Sequence, residues 1–244
     1  MKTVLITGAN KSIGFETTRQ LLEAGYYVYL GSRDEANGDE AVARLKADGL
    51  TRVEAIQIDV SNSASIEAAR TELGTKLESL DILINNAGIS GGFPQSPTSL
   101  NIEKIRQVFD TNFFGTINVT MAFLDLLKKA DAPRIVNVTS GLASLTLHSD
   151  PSWKYYNAKG GAYGPSKTAL NAYTIALAHE LRESAFKINV VDPGFTATDF
   201  NNHRGTGSIP NAAKIIVKYA TIGADGPTGR YFSNDMEGGE ESPW

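Results

Sequence analysis

Short runs of apolar, often β-branched residues alternate along this chain with longer segments of helical period, and no other feature restricts its possible folds as strongly. Parallel strands need a crossover of a dozen or more residues, usually a helix, so the alternation favours a parallel sheet with helices on both faces. Right-handed crossovers then predict a three-layer α/β fold with a doubly wound, Rossmann-like sheet. The predicted strands are Thr3–Thr7, Tyr27–Gly31, Val53–Ile58, Asp81–Asn85, Arg134–Val138 and Lys187–Val191.

Five segments between these strands carry apolar residues at three- and four-residue spacing, which predicts helices. We expect a single domain over residues 1–244, because no linker or internal repeat divides the sequence. Two regions lie outside the pattern: a loop over 141–161 and a Gly- and acid-rich tail over 223–244. For the tail we expect a short strand around Arg230–Phe232 followed by a mobile end. The predicted helices are Ile13–Ala24, Glu35–Ala47, Ser63–Glu78, Ile102–Lys129 and Ser166–Ser184.

Composition makes several classes of function improbable. A net charge of −4 gives no reason to expect nucleic acid as a partner. Cysteine is absent, which removes thiolate metal sites and cysteine nucleophiles, and His148, His179 and His203 are not at metal-ligand spacing, so no metal is expected. The apolar run near Met1 is far too short for a signal peptide core or a membrane span. We therefore expect a cytoplasmic protein that does not contact a membrane.

The segment TGANKSIG, residues 7–14, lies between the first predicted strand and the first predicted helix. Glycines at such a turn let the backbone approach a pyrophosphate, while the amides and dipole of the helix N-terminus favour negative charge. A glycine-rich turn alone is weak evidence, but this is the position at which a doubly wound sheet binds nucleotides. The candidate binding residues are Gly8, Asn10, Lys11, Ser12, Ile13 and Gly14.

Six motifs in succession resemble those of the short-chain dehydrogenase/reductase family, single-domain branch, over essentially the whole chain. The resemblance implies hydride transfer between a nicotinamide cofactor and a ketone, aldehyde or secondary alcohol, as in carbonyl reductases. The motifs are TGANKSIG, NNAG at 85–88, TNFFG at 111–115, VNVTS at 136–140, YGPSK at 163–167 and DPGFTAT at 192–198. The cofactor contacts it implies are Asp59 and Val60 at the adenine, Asn86, Ala87 and Gly88 at the ribose and nicotinamide, and Pro193, Gly194, Thr196 and Thr198 at the carboxamide.

Ser12 departs from the family pattern, which has glycine at this position of the turn. If the residue needs a positive φ, serine costs roughly 1 to 2 kcal/mol there. Its hydroxyl could instead bond an oxygen of a ribose phosphate. The sequence leaves tolerance and function as alternatives.

The end of the second predicted strand, LGSRDE, bears on which nicotinamide cofactor is used. In the family an acidic residue here binds the ribose 2′-hydroxyl of NADH, and Ser32 occupies that position with Arg33 after it. Arg33 and Lys11 converging on one spot would favour the 2′-phosphate of NADPH. NADP(H) is therefore predicted over NAD(H). In the alternative both cations are solvated and Asp34 binds the hydroxyls of NADH.

The sequence contains Tyr-x-x-x-Lys twice, at Tyr155/Lys159 and at Tyr163/Lys167. Residues four apart share a helix face, so the pattern places an ammonium beside a phenol and moves the phenol pKa toward neutral only where a helix exists. Two glycines follow Lys159, which predicts an irregular loop, whereas Lys167 continues into a strongly periodic segment. The second pair is therefore the predicted catalytic pair.

The family resemblance implies that Tyr163 donates the proton, Ser140 bonds the substrate oxygen, Lys167 binds the nicotinamide ribose and Asn112 holds a water. Ser140 and Tyr163 are 23 positions apart, longer than is usual in the family, and this insertion and the 195–219 segment are expected to shape the pocket. The aromatic residues of the insertion either form a wall or lid selecting bulky carbonyls, or simply pack the loop. Because some relatives with such insertions are monomers, monomer and homo-oligomer both stay open.

Two further functions remain as alternatives. One is an NADP-sensing binding protein on the same fold without turnover, although such a protein would be expected to lose the tyrosine or the lysine. The other is an enoyl reductase, but that group spaces its tyrosine and lysine six apart.

Overall fold

One parallel sheet forms the centre of the computed structural model, which describes residues 1–236 and 240–244. Seven strands belong to it within those residues: β1 (Thr3–Ile6), β2 (Tyr27–Ser32), β3 (Val53–Gln57), β4 (Ile82–Asn85), β5 (Arg134–Val138), β6 (Lys187–Asp192) and β7 (Tyr231–Ser233). They lie in the order β3-β2-β1-β4-β5-β6-β7 with every neighbouring pair parallel. The order reverses between β1 and β4, and a doubly wound sheet binds its ligand at that switch point. The predicted fold class is confirmed.

The two faces of the sheet carry separate cores because successive side chains of a strand point to opposite faces. On β1, Val4 and Ile6 pack on one side and Leu5 on the other, and all three are fully buried. Burying a side chain of this size contributes roughly 1.5 to 3 kcal/mol. The strands therefore consist of near-continuous apolar runs, which is typical of a sheet covered on both faces.

Helices cover both faces. In the described residues they are α1 (Ser12–Glu23), α2 (Glu35–Ala47), α3 (Ser63–Lys76), α4 (Ile102–Phe109), α5 (Gly115–Leu127), α6 (Leu145–His148), α7 (Tyr163–Glu180) and α8 (Ile209–Ala220). Residues of α1, α2 and α8 pack into the core that contains Val4, and residues of α3, α5 and α7 into the core that contains Leu5. None of the helices formed by the described residues combines the length and apolarity needed to cross a bilayer.

The helices of the structure differ from the predicted ones in two places. The single helix predicted over Ile102–Lys129 is α4 and α5 joined by one π-helical turn, Asp110–Phe114. In addition, α8 was not predicted: its residues were assigned to the pocket-shaping 195–219 segment, but Ile215 and Ile216 pack in the core beside α1. Ser208 caps α8 and Pro210 lies in its first turn, so capping and periodicity could have identified this helix.

The tail contains β7, as predicted, but the chain beyond it is packed rather than free. Glu241 bridges back to Phe232, and the amide of Ser242 donates to Tyr231 O at 2.8 Å. The Ser144 hydroxyl donates to Pro243 O at 2.7 Å, so the tail joins the inserted loop. Of the predicted mobile end, residues 237–239 lie outside the described residues.

Candidate active site

The phosphate-binding turn follows β1 and is pressed against the loop that follows β4. Gly8 has a φ of +63°, and a Cβ added there would lie only 2.9 Å from Ala87 Cα. A Cβ on Gly14 would lie 2.5 Å from Gly8 O. The Asn86 amide donates to Thr7 O at 3.0 Å and to Gly8 O at 2.9 Å. Both glycines are therefore required by close backbone approach, and NNAG supports the turn from behind.

The helix N-terminus that follows this turn fits a phosphate. In the described part of the chain no side chain caps α1, whereas Asp34 and Asn62 cap α2 and α3. Uncapped first-turn amides and the helix dipole are what bind phosphate at such a turn. Ile13 packs on the core while Asn10 and Ser12 are half-buried at the turn. The residues present thus fit a dinucleotide pyrophosphate.

Ser12 has a φ of +50°, which is the conformation that makes glycine usual at this position. The condition for strain raised by the sequence is therefore met. Serine in the left-handed region costs roughly 1 to 2 kcal/mol.

At the end of β2, Ser32 stands where the family has an acidic residue, and the next residue, Arg33, is exposed at the surface. The Ser32 hydroxyl donates to Asp34 O at 2.7 Å, and Asp34 Oδ1 accepts the amide of Asn37 at 2.9 Å as the cap of α2. Asp34 is thus already engaged. Lys11, expected beside Arg33, extends instead to Asp199 at 3.3 Å, on the other side of the turn.

The remaining predicted cofactor residues lie at the same edge of the sheet. Asp59 Oδ1 accepts the amide of Ser61 at 2.9 Å, and Val60 is buried beneath it. Thr196 and Thr198 are buried in the loop after β6, which follows Pro193 and Gly194. These residues follow the carboxyl ends of β3 and β6, at the same edge of the sheet as the switch point between β1 and β4.

The predicted catalytic pair lies on α7, and the helix begins at Tyr163 itself. Tyr163 faces the side chain of Ser140, which follows β5. Lys167 is one turn further on and donates from Nζ to Val138 O at 2.8 Å. Pro165 falls in the first helical turn, where no amide partner is required. The structure thus brings Ser140, Tyr163 and Lys167 together.

Burial governs the protonation of this pair. It raises the pKa of the Tyr163 phenol; the Ser140 side chain acts to lower it, and the carboxylate of Asp192 raises it further. Burial also lowers the pKa of Lys167 to about 8. The Tyr-x-x-x-Lys pattern predicts a lowered phenol pKa, but the surrounding residues raise the pKa of Tyr163 instead. Tyr163 is therefore held as a protonated donor.

Asn112 is fully buried within the π-helical turn, and it connects three parts of the site. Its Oδ1 accepts the amide of Ile89 at 2.8 Å, and its Nδ2 donates to Ile89 O at 2.9 Å and to Ser166 Oγ at 3.1 Å. A Cβ added to Gly88 would lie 3.2 Å from Asn112 Oδ1 and 3.6 Å from Lys167 Nζ. Asn112 and Lys167 therefore both border Gly88. π-turns inside α-helices occur frequently at functional sites.

The rival pair is not a pair in space. Lys159 Nζ donates to His148 O at 3.1 Å and to Tyr156 O, and lies 3.6 Å from the centroid of the Tyr156 ring. Tyr155 meets Trp153 and Phe195 edge to face, with centroids 5.5 and 5.9 Å apart. The prediction of an irregular loop is confirmed.

Phe200 extends this aromatic series to the site, since its ring lies 5.4 Å from that of Tyr163. Phe195 and Phe200 are 39% and 41% exposed. Apolar rings are thus accessible beside the catalytic phenol.

Two residues that the sequence did not identify support the site from behind. Asp192 Oδ1 accepts the amide of Gly194 at 2.9 Å and Oδ2 the hydroxyl of Ser233 at 2.6 Å, and burial raises its pKa to about 6. The Tyr231 hydroxyl donates to Ser140 O at 2.7 Å. The DPGFTAT motif contains Asp192 but assigns it no role, and no local sequence signal points to Tyr231.

The chain matches a known protein family over most of its length. The family model described as short chain dehydrogenase matches residues 2–208, from β1 to the loop before α8. The chain belongs to the short-chain dehydrogenase family. It is therefore an oxidoreductase of a family that uses a nicotinamide cofactor, and the family resemblance seen in the sequence is confirmed.

Individual relatives cover nearly the whole chain. A (+)-neomenthol dehydrogenase from Capsicum annuum is 34% identical, over 93% of this chain and 94% of its own length. The structure of salutaridine reductase from Papaver somniferum is 29% identical with a TM-score of 0.83, covering 96% of this chain and 100% of that one. The Pseudomonas aeruginosa RhlG/NADP active-site complex is 26% identical with a TM-score of 0.82, covering 96% of this chain and 94% of that one. The relatives support oxidoreduction between ketones and alcohols.

Proposed function

We propose that this protein is an NADPH-dependent reductase of ketones or aldehydes that also acts in reverse on secondary alcohols, like a carbonyl reductase. One observation carries the proposal: the protonated phenol of Tyr163 faces Ser140 at the carboxyl edge of the sheet, with Lys167 one helical turn away. A carbonyl placed between the two hydroxyls would have a proton donor and a second hydrogen-bond donor on the same oxygen.

Each residue has a chemical task in this reaction. When bound, the nicotinamide supplies a hydride to the carbonyl carbon. Tyr163 then gives its proton to the carbonyl oxygen, and Ser140 stabilises the charge that develops there. The product alcohol gains one hydride on carbon and one proton on oxygen, and the Tyr163 phenolate takes a proton back from solvent by way of Lys167 and Asn112. A cationic Lys167 stabilises that phenolate while it exists.

The preference for NADPH rests on charge at the end of β2. Arg33 is exposed there, and Asp34, the carboxylate that would favour NADH, is engaged as the cap of α2. A guanidinium can make a bidentate, charge-assisted contact with a phosphate. Lys11 would have to leave Asp199 to reach the same phosphate, so Arg33 is the primary determinant. That a similar protein is recorded as an NADP complex supports this choice.

The aromatic side chains point to substrates with bulky apolar skeletons. Tyr155 and Phe195 form one part of a wall and Phe200 lies beside the catalytic phenol. Pockets for apolar ligands are lined mostly by such residues. A relative named for neomenthol is consistent with a cyclic substrate.

Steady-state oxidation of NADPH with a panel of ketones, aldehydes and quinones tests this function. We expect turnover with cyclic ketones and little with acetone-sized ones. Tight NADPH binding with no turnover on any member would favour the alternative function, a non-catalytic NADP sensor.

The Arg33→Ala variant tests the cofactor preference. We expect kcat/KM for NADPH to fall by roughly 10- to 100-fold, the loss of one charge-assisted hydrogen bond, with little change for NADH. Arg106→Ala is a matched control, because Arg106 is exposed and pairs only within α4 with Glu103 among described groups. An unchanged NADPH to NADH ratio in Arg33→Ala would show that another residue sets the preference.

A further inference from the structure

The first turn of the catalytic helix is capped from a distant loop. Ala162, the residue before α7, has no polar side-chain atom that could cap it. Gln95 supplies the cap: its Oε1 accepts the amide of Tyr163 at 3.0 Å and that of Ala162 at 3.3 Å. The first amides of a helix have no partner within the helix, so a cap holds the first turn closed. Here the residue held is the proton donor itself.

Every hydrogen-bonding position of the Gln95 amide is used. Its Nε2 donates to Ser90 O at 2.5 Å and to Gly92 O at 2.9 Å, and its side chain is almost wholly buried. The backbone oxygen of Gln95 also accepts the amide of Gly161 at 2.9 Å. Through its side chain and its backbone oxygen, Gln95 thus ties the loop after β4, the end of the inserted loop and the start of α7 together.

The surrounding chain is built to accommodate this contact. A Cβ added to Gly160 would lie 2.8 Å from Gln95 Oε1, so a larger residue there would displace the amide. Nearer the start of the loop after β4, Asn112 hydrogen-bonds both Ile89 and Ser166. The loop after β4 is therefore fixed to α7 at two places, and Gln95 holds the end of α7 that carries the Tyr163 phenol.

We propose that Gln95 is a positioning residue for the reduction: by capping α7 it fixes Tyr163 opposite Ser140. The inference rests on the proposed function and adds to it a residue that touches no reacting atom. Ser140 is anchored independently, through Tyr231 at 2.7 Å, so movement in the first turn of α7 would change the distance between the two hydroxyls. A displacement of about 1 Å between catalytic groups can cost on the order of 100-fold in rate.

Two near-isosteric variants separate capping from packing. Gln95→Met keeps the length and apolar contacts but removes the acceptor. Gln95→Glu keeps the acceptor, and its protonated acid can still donate to Ser90 O. We expect kcat of Gln95→Met to fall roughly 10- to 100-fold while the Kd for NADPH stays within about twofold, and Gln95→Glu to recover most of that loss at pH 6 and to lose it as pH rises. If Gln95 only filled space, the order would be reversed, with Met active and the buried Glu impaired.

Hydrogen exchange of the amides at Tyr163 and Gly164 gives a readout independent of turnover. Exchange should be several-fold faster in Gln95→Met than in the wild type. Should Gln95→Met fold poorly, Gly160→Ala disturbs the same oxygen from the neighbouring loop and should cause a smaller loss of kcat. If the wild type turns over a carbonyl and Gln95→Met has the same kcat or the same exchange rate as the wild type, the positioning role alone is overturned. No turnover by the wild type on any carbonyl would overturn the proposed function and this role with it.

Discussion

Replacing Ser12 with glycine should stabilise this protein, although glycine usually destabilises a helix. Ser12 opens α1 with a φ of +50°, in the left-handed region where a Cβ crowds the backbone. Removing the Cβ relieves that crowding. Because the same residue borders the proposed phosphate site, its hydroxyl can be tested in the same experiment.

The size of the effect follows from two opposing contributions. A non-glycine residue in the left-handed region costs roughly 1 to 2 kcal/mol. Glycine loses more conformational freedom on folding than serine does, and this offsets the gain by roughly 0.5 to 1 kcal/mol. The difference between the midpoints is a net gain of about 0.75 kcal/mol in the free energy of unfolding, or a rise in Tm of roughly 2 to 3 °C for a chain of this length.

Ser12→Ala is the matched control because it removes the hydroxyl but keeps the Cβ. Thermal unfolding without cofactor should rank glycine above both serine and alanine, with alanine close to the wild type. NADPH affinity, from fluorescence titration, should fall about fivefold in both variants if the hydroxyl bonds a phosphate oxygen, since one such bond contributes about 1 kcal/mol. A glycine variant no more stable than the alanine variant would refute the strain argument.

Four other changes have definite expected outcomes. Tyr163→Phe should lower kcat by roughly 100-fold or more while NADPH still binds, whereas Tyr155→Phe should change mainly the ranking of ketones by kcat/KM. Burial raises the pKa of Asp192 to about 6, so the native state binds the extra proton between about pH 4 and 6 and that stabilisation is lost as pH rises through 6. Compared with Asp192→Asn, the wild type should therefore lose up to about 3 kcal/mol of unfolding free energy from pH 4 to pH 7 in chemical denaturation. A chain ending at Ser242 lacks the bond from Ser144 to Pro243, so KM for bulky ketones should rise several-fold with NADPH affinity unchanged.

The sheet was predictable because strands buried on both faces are near-continuous apolar runs, and because the helices between them show a helical period that needs no knowledge of contacts. Periodicity missed the π-helical turn because an extra residue in a helix leaves the apolar spacing nearly intact within the 8 residues of α4 and the 13 residues of α5 on either side. That turn nevertheless matters for the site, since it carries Asn112 into the interior, where Asn112 and Lys167 both border Gly88. The motif identified the residue but not the backbone that directs it.

The catalytic side chains were predictable and their supports were not, for one physical reason. Tyr163 and Lys167 act through a spacing of four on one helix, which is local in sequence. Gln95 and Tyr231 act through backbone atoms 68 and 91 positions away, where any side chain with the right reach and a suitable hydrogen-bonding atom would serve. Such contacts leave no pattern in the chain that makes them. The inserted loop is constrained in the same way, by Gln95 at its end and by the tail near its start, so the shape of the substrate pocket depends on residues far from it in sequence.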